Sequence, residues 1–446
     1  MKNLRYIFIV AAVFSLSSCG LYKQYERPQT EFADSLYRRL PAAHDSTSLA
    51  QISWEDFFND PILKEWISLG LKHNTDLNIA RTKVLEAEAA LAAARGAFLP
   101  GVNLNVNADV IPLSLTSNLS ASWEADIFGG LTNAKRKAAA SLEQSLAYKQ
   151  AVQTQLLATI ANTYYTLLML DEQLRVSQRT YENWNENIRT MEALKRAGKT
   201  NEAAVLQAKS NQLNVEGSML SLEQQILEME NSFSSLIGIV PMTIRRGNLN
   251  EQSFPLELSQ GVPAQLLSKR PDVRQAEMAL AQAYYATNQA RASFYPKLTL
   301  SGALGWTSAG AGVDPSVFIA DLGASILQPV FNKRALKANL KKAEAQQKAA
   351  LYEFKQSILD AGVEVNNALI QWQTAQESLT IDQKKVVHLQ AAVWNTRLLM
   401  KHGLTNYLEV LTAQQTLLQA ELAVASDKFE QIQGVINLYH ALGGGY

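Results

Sequence analysis

The chain is poor in the residues that usually betray a chemistry. Among its 446 residues there is one cysteine, Cys19, so no disulfide can close within it. Its 41 Lys and Arg balance 41 Asp and Glu, and it lacks the basic excess of a nucleic-acid binder. Beyond Cys19 no run of about 18 consecutive apolar residues occurs, which leaves no candidate transmembrane helix. The five histidines, His44, His73, His388, His402 and His440, are scattered without metal-site spacing. No phosphate-binding glycine motif or nucleophile elbow is present. The weak cluster "GAGVD", Gly310 to Asp314, reads as a loop. The expectation is a protein without catalytic activity, metal or cofactor, apart from a covalent lipid on Cys19. Helix breakers are scarce too. Leu131 to Ala197 contains no Gly or Pro, and Val330 to His402 only Gly362.

What is present begins with a leader, residues 1–18. Lys2 and Arg5 precede an apolar stretch from Tyr6 to Leu16, too short to span a bilayer comfortably. It runs into "LSSC", Leu16 to Cys19, which resembles a bacterial lipobox with cleavage before Cys19. A lone buried cysteine is the alternative, and the position directly behind the apolar stretch favours lipidation. Residue 20 is Gly, not the Asp that commonly retains lipoproteins at the inner membrane, so the outer membrane is expected.

The rest of the chain is duplicated. "RAGKTNEAAVLQAKSNQL", Arg196 to Leu213, and "KHGLTNYLEVLTAQQTLL", Lys401 to Leu418, agree at seven of eighteen positions, 205 residues apart. "RGAFLP" (Arg95 to Pro100) recurs as "RASFYP" (Arg291 to Pro296), and Phe128 in "DIFGG" as Phe331 in "PVFNK". At 1.5 Å per residue each breaker-free run would reach roughly 100 Å as a helix. Leu146, Gln153, Ile160, Leu167, Leu174, Tyr181 and Ile188 recur every seventh residue, the signature of supercoiled helix packing. Shorter helices are expected from Thr75 to Phe98, from Pro271, and over Thr200 to Ile237 and Thr405 to Leu442.

Four strands are expected between the helices, at about 102–110, 113–126, 298–306 and 318–327. Val102, Leu104, Val106, Ala108 and Val110 share one face of the first, and Asn103, Asn105, Asn107 and Asp109 the other. The second alternates the same way and ends on Glu124 and Asp126. Strands of this length with one apolar and one polar face fit a membrane barrel whose wet lumen meets Asn103, Asn105, Asn107, Asp109, Glu124 and Asp126. Phe98, Phe128, Phe294, Tyr295 and Phe331 sit near the strand ends, where interfacial aromatics belong. Four strands cannot close a barrel, and an open edge in lipid is costly. Two, three or four copies would share eight, twelve or sixteen strands, and the residues alone do not choose.

"ISWEDFFNDPILKEWISLGLKHNTDL" (Ile52 to Leu77), "SWEADIFGG" (Ser122 to Gly130), "KRPDVRQAE" (Lys269 to Glu277), "LQPVFN" (Leu327 to Asn332), "GLTNYLEVLTAQ" (Gly403 to Gln414) and the ending "ALGGGY" (Ala441 to Tyr446) resemble the TolC-type outer-membrane efflux proteins, in their lipoprotein branch typified by OprM. The resemblance covers nearly all of the chain beyond residue 18. It implies a mostly α fold with transmembrane β: duplicated halves, a twelve-stranded barrel shared by a homotrimer, and a long α-helical periplasmic tunnel. It also implies a periplasmic adaptor protein and an inner-membrane pump of the RND type, which together export drugs or other small molecules. A type I protein-secretion exit duct and a non-conducting, periplasm-spanning lipoprotein are the alternatives.

The resemblance further implies a gate at the helix-hairpin tips. Thr405 and Thr412 occupy positions that are often charged in such proteins, which leaves Glu409 as the acidic member of the ring, and Ala204 stands at its place in the first copy. Ala197, Gly198, Lys199 and His402, Gly403, Leu404 resemble adaptor-contacting turns; glycine C-caps explain the same glycines. The organisation is a leader (1–18), an anchored extended segment (19–61), a first repeat (62–245), a linker (246–268) and a second repeat (269–446).

Overall fold

The computed structural model describes residues 22–28, 52–110, 113–252, 254, 270–309, 317–330, 332 and 334–445. Cys19, the Gly310 to Asp314 loop and Phe331 lie outside the described residues, as does the side chain of Asp109. In chain order the elements are α1 (Trp54–Phe57), α2 (Pro61–His73), α3 (Thr75–Gly96), β1 (Gly101–Val110), β2 (Leu113–Ala125), α4 (Gly130–Arg196), α5 (Glu202–Ile237), α6 (Pro271–Ala292), β3 (Lys297–Ala309), β4 (Val317–Leu327), α7 (Ala335–Lys401) and α8 (Tyr407–Ala441). The two breaker-free runs become α4 and α7, each a single helix of 67 residues.

Local signals place most boundaries. Asp60 accepts from Ile62 N at 2.8 Å and starts α2, whose first residue is Pro61. The Asn74 side chain accepts from Leu77 N at 2.9 Å and caps α3. The expected extended segment over 19–61 carries the one-turn helix α1, because Ser53 supplies an N-cap. The expected helix to Phe98 stops at Gly96, where the chain turns toward β1.

The chain divides into two compact units, and each draws on both repeats. The first comprises residues 1–31, 80–149 and 271–358 and holds the sheet. Its strands pair antiparallel in the order β1-β2-β3-β4. Gly101 pairs with Ser122, Ala125 with Leu298, and Lys297 with Leu327, so the four helices that border the strands all join one end of the sheet. Buried helix positions in this unit are mostly small: Ala80, Ala87, Ala140, Ala147, Ala281, Ala343 and Ala350. Small side chains allow close helix contact in a thin wall rather than around a thick core. Residues 22–28 lie along α6, where Arg27 Nε donates to Glu277 at 2.8 Å and the Tyr284 hydroxyl donates to the carbonyl of Lys23 at 3.2 Å.

The second unit comprises 32–79, 150–270 and 359–446. It has a large apolar core that includes Phe57, Phe58, Ile67, Ile160, Tyr164, Leu167 and Phe233. The heptad positions Ile160, Leu167 and Ile188 are buried, as their period requires. A polar network fixes the start of the linker. Arg246 binds Asp171 at 2.5 Å and Glu230 at 2.5 Å, and Tyr164 donates to Asp60 at 2.7 Å. Arg270 of the "RPD" motif donates to the carbonyl of Ala441 at 2.6 Å and so ties off the C-terminus of α8.

Candidate functional site

Three arrangements bear on function: the two faces of the sheet, the two hairpin tips, and a polar cluster above the tips.

The sheet faces differ sharply. Asn105 Nδ2 donates to Asn118 Oδ1 at 3.1 Å and to Ser120 Oγ at 3.3 Å, which ties β1 to β2 on the polar face. Asn103 pairs with Ser120 and Asn107 with Thr116 on that face. Glu124 is offset there by Lys297 at 3.2 Å. Asp126 does not join them. Strand β2 ends at Ala125, and the Asp126 carboxylate accepts from Leu131 N (2.9 Å), Thr132 N (2.7 Å) and Thr132 Oγ1 (2.6 Å), capping α4. Four orphan donors at a helix start claim a nearby carboxylate more strongly than an aqueous face does. The opposite face presents Val102, Leu104, Val106, Leu119, Leu304 and Ile326 to the outside, Leu104 at 68% exposure and Leu322 at 91%. An exposed apolar area spread over four strands marks contact with something other than water. Aromatics flank it at both ends: Phe128 stacks on Tyr295 at 4.8 Å, and Trp306 meets Phe318 at 5.7 Å.

The tips show what the repeated "GxTN" encodes. Gly198 (φ +69°) and Gly403 (φ +72°) take the left-handed conformation that ends a helix. Lys199 N donates to the carbonyl of Leu194 at 2.9 Å, and Leu404 N to that of Leu399 at 2.9 Å, closing the same turn twice. The Asn of each motif then starts the next helix: Asn201 accepts from Ala204 N at 3.0 Å and Asn406 from Glu409 N at 3.3 Å. Helices α5 and α8 therefore begin at Glu202 and Tyr407, later than Thr200 and Thr405. Ala197, Gly198, Lys199, His402, Gly403 and Leu404 are all exposed. Glu409 and Thr412 are exposed on one face of α8, with the Thr412 hydroxyl turned to the carbonyl of Leu408 at 3.0 Å. Thr405 is half-buried in the turn, and its hydroxyl has no partner among the described residues. Glu409 and Thr412 thus stand together, and Thr405 stands apart.

Sequence reading missed the cluster one to four turns from the tips. Asn187, Arg397 and Gln414 meet there. The Gln414 amide, with its oxygen toward Arg397, accepts from Nε at 3.2 Å and Nη2 at 2.5 Å, and from Asn187 Nδ2 at 2.6 Å. Arg179 binds Glu421 at 2.6 Å. Arg179, Arg397, Gln414 and Glu421, with Trp184 and Trp394, line a cavity of 310 Å³.

The outer membrane efflux protein family matches residues 66–239 and 262–444, most of both repeats. The chain belongs to that family. It is 30% identical over its whole length to the pyoverdine export outer membrane protein OpmQ of Pseudomonas aeruginosa, of which it covers 97%. It is 28% identical to the cation efflux system protein CusC of Escherichia coli, over 97% of each chain. The crystal structure of the open state of the Neisseria gonorrhoeae MtrE outer membrane channel superposes with a TM-score of 0.84 at 26% identity, over 95% of this chain and 98% of that one. As an outer-membrane efflux protein the chain carries the expected architecture, mostly α with four strands, and its exposed apolar sheet face acquires a solvent: lipid.

Proposed function

We propose that this outer membrane efflux protein is the exit duct of a tripartite efflux system, passively conducting drugs or other small molecules. One observation carries the reading: a four-stranded sheet with an apolar outer face, an amide-rich inner face and two open edges, β1 and β4. In lipid those edges need partners, because unsatisfied backbone groups cost several kcal/mol each. Three copies supply twelve strands and a wet lumen lined by Asn103, Asn105, Asn107 and Glu124, with the helices continuing the conduit into the periplasm. A lipid on Cys19 anchors the chain. The exposed tips, Ala197 to Lys199 and His402 to Leu404, receive a periplasmic adaptor, which links the duct to an inner-membrane pump of the RND type. Glu409, repeated around the axis, forms an acidic constriction that favours cations. No step here needs catalysis.

Facing is the first test. Leu104→Lys puts a charge into lipid and is expected to cost about 2–4 kcal/mol in unfolding from vesicles if it lies near the midplane. Asn105→Lys is expected to fold normally and to alter single-channel conductance in planar bilayers. Equal stability of the two variants would overturn the facing, and silent bilayers with well-folded wild-type trimers would overturn conduction.

A further inference from the structure

The charges of this neutral chain are not spread evenly. Next to the sheet, residues 127–142 hold Lys135, Arg136 and Lys137 and no acid, and residues 334–343 hold Arg334, Lys337, Lys341 and Lys342 and no acid. Arg95 closes α3 and Arg291 closes α6 at the same end of the sheet. Of the acids near this level, Glu124 is committed to Lys297, Asp126 to the cap of α4 and Glu344 to Arg291 at 3.4 Å, while Glu88, two turns before the end of α3, is exposed. Arg95, Lys137, Lys337, Lys341 and Lys342 are exposed and form no ion pair among the described residues.

The placement runs against helix electrostatics. A helix start carries partial positive charge and favours Asp or Glu. Helices α3, α5, α6 and α8 follow that rule with Asp76, Glu202, Asp272 and Glu409 in the first turn. Helices α4 and α7 have no acid in the first turn and carry Lys and Arg within the first two. Asp126 supplies the acid at the start of α4 from outside the helix, whereas the start of α7, with Arg334 before it and Lys337 in it, has none among the described residues and is open to an external anion.

Geometry says where that anion lies. The ring of Phe98 is 5.7 Å from Lys135 Nζ. The Phe98 carbonyl accepts from Trp123 Nε1 at 2.9 Å, and Trp123 belongs to the apolar face of β2. Lys135 therefore stands on the lipid side, just beyond the interfacial aromatics. Lys337 and Lys135 lie about 3 and 8 Å along the axis from a helix start, within the headgroup layer next to the hydrocarbon, which is roughly 5–8 Å thick. Lys137 and Lys342, about 10 Å along, reach that layer with their extended side chains. On α7, Lys341 projects opposite the buried Ala343 at 100° per residue.

We infer that the basic belt formed by Arg95, Lys135, Lys137, Lys337, Lys341 and Lys342 binds the anionic phospholipid headgroups of the periplasmic leaflet. The inference rests on the reading that the sheet spans the membrane. Phosphate oxygens neutralise the exposed lysines, and at α7 they also meet a positive helix start.

The test uses the full chain in vesicles of phosphatidylcholine, alone or with a minor fraction of phosphatidylglycerol, followed by native mass spectrometry of retained lipid. The wild type is expected to enrich phosphatidylglycerol, less so at high salt. The K135Q/K137Q/K337Q/K341Q variant is expected to lose roughly tenfold or more of that enrichment. The corresponding Lys→Arg variant should keep it, as should K72Q/K384Q, which removes two distant exposed lysines. Equal retention of both lipids by the wild type, or unchanged enrichment in the Lys→Gln variant, would overturn the belt. So would selective displacement by inorganic phosphate at constant ionic strength, which would mark a soluble-anion site instead. Insertion into pure phosphatidylcholine separates the two layers of the argument. A chain that does not insert overturns the membrane reading and the belt together; one that inserts without lipid preference overturns the belt alone.

Discussion

The two hairpin tips share a turn and differ in everything around it. At a constant offset of 205 residues, Lys195 and Glu202 of the first copy become Met400 and Tyr407 of the second, and Glu192 and Lys209 become Arg397 and Gln414. In the first tip these positions are two ion pairs, Lys195–Glu202 and Lys209–Glu192 (2.8 Å), with about half of each side chain in solvent. In the second, Tyr407 is a buried member of an apolar cluster that Met400 packs against. Arg397 and Gln414 are hydrogen-bonded to each other. The first hairpin supplies the cluster's buried members Trp184, Ile188, Met191, Val205, Ala208 and Val215, and Ala204 packs against them. Ala204 therefore packs, while Glu409, its counterpart, stands outside. Duplication preserved the backbone and released the side chains, so that at these equivalent positions the first copy is laced at the surface and the second is packed into the shared cluster.

The sharpest way to break this comparison is to cut the same position in each copy. Tyr407→Ala is expected to lower stability by about 3–5 kcal/mol, read from denaturant unfolding followed by circular dichroism. Glu202→Ala, its equivalent, is expected to cost under about 1 kcal/mol, and less in high salt. Tyr407→Phe adds a control. Burial pushes the Tyr407 phenol up to about 12, and its hydroxyl has no partner among the described residues, so the phenylalanine should be neutral or stabilising. Similar losses at positions 202 and 407 would erase the distinction between the tips.

The turns themselves should behave alike. Neither Gly198 nor Gly403 has an atom within 4 Å of an added Cβ, so an alanine there meets only the backbone cost of the left-handed conformation. Gly198→Ala and Gly403→Ala are each expected to cost about 1–2 kcal/mol. Unequal costs, measured by the same unfolding assay, would show that one turn is held by contacts the other lacks.

Further along the hairpins the copies diverge again. Ser177 and Leu222 of the first correspond to Asp382 and Asp427 of the second. Burial, with Asp382 and Glu430 nearby, raises the Asp427 carboxyl to about 6, against a pull from Lys385. An acid whose folded pKa is raised binds more protons folded than unfolded. Stability therefore falls as pH climbs from about 4 through 6, and it is regained on acidification. Asp427→Asn is expected to remove this dependence and to raise the melting temperature at pH 7 more than at pH 4. Parallel melting curves for wild type and variant across that range would refute the raised Asp427 carboxyl.

Much of this was readable from the residues because it depends on period and local capping. The absence of Gly and Pro set the extents of α4 and α7 closely, and strict alternation set the strands and their faces. "GxTN" gave both tips. What stayed hidden depends on partners distant in sequence. Asp126 continues the polar alternation of β2, yet the start of α4 folds back onto it. Thr405, which the resemblance places in a ring with Glu409 and Thr412, sits half-buried in the turn, a burial that its position in the motif does not reveal. Arg397 and Gln414 lie in different helices, and no spacing rule joins them. The basic belt emerges only when four separated segments are brought to one end of the sheet.

Glu409 is the smallest effect and the most specific. It sits third in α8, exposed, where its carboxylate meets the positive end of the helix. Glu409→Ala is therefore expected to change stability by no more than about 0.5 kcal/mol. Its proposed electrostatic role is separate. In the proposed ring, three copies of one carboxylate around a narrow mouth would concentrate cations there even when each is well solvated. The variant should lower cation over anion permeability, measured as a shift in reversal potential across a salt gradient, while Ala204→Glu in the first copy should not rescue it, because that position faces the packed cluster. Unchanged selectivity in Glu409→Ala would leave the residue as a helix-start acid only, and selectivity restored by Ala204→Glu would mean that the two tips face the mouth alike, against the packing that distinguishes them.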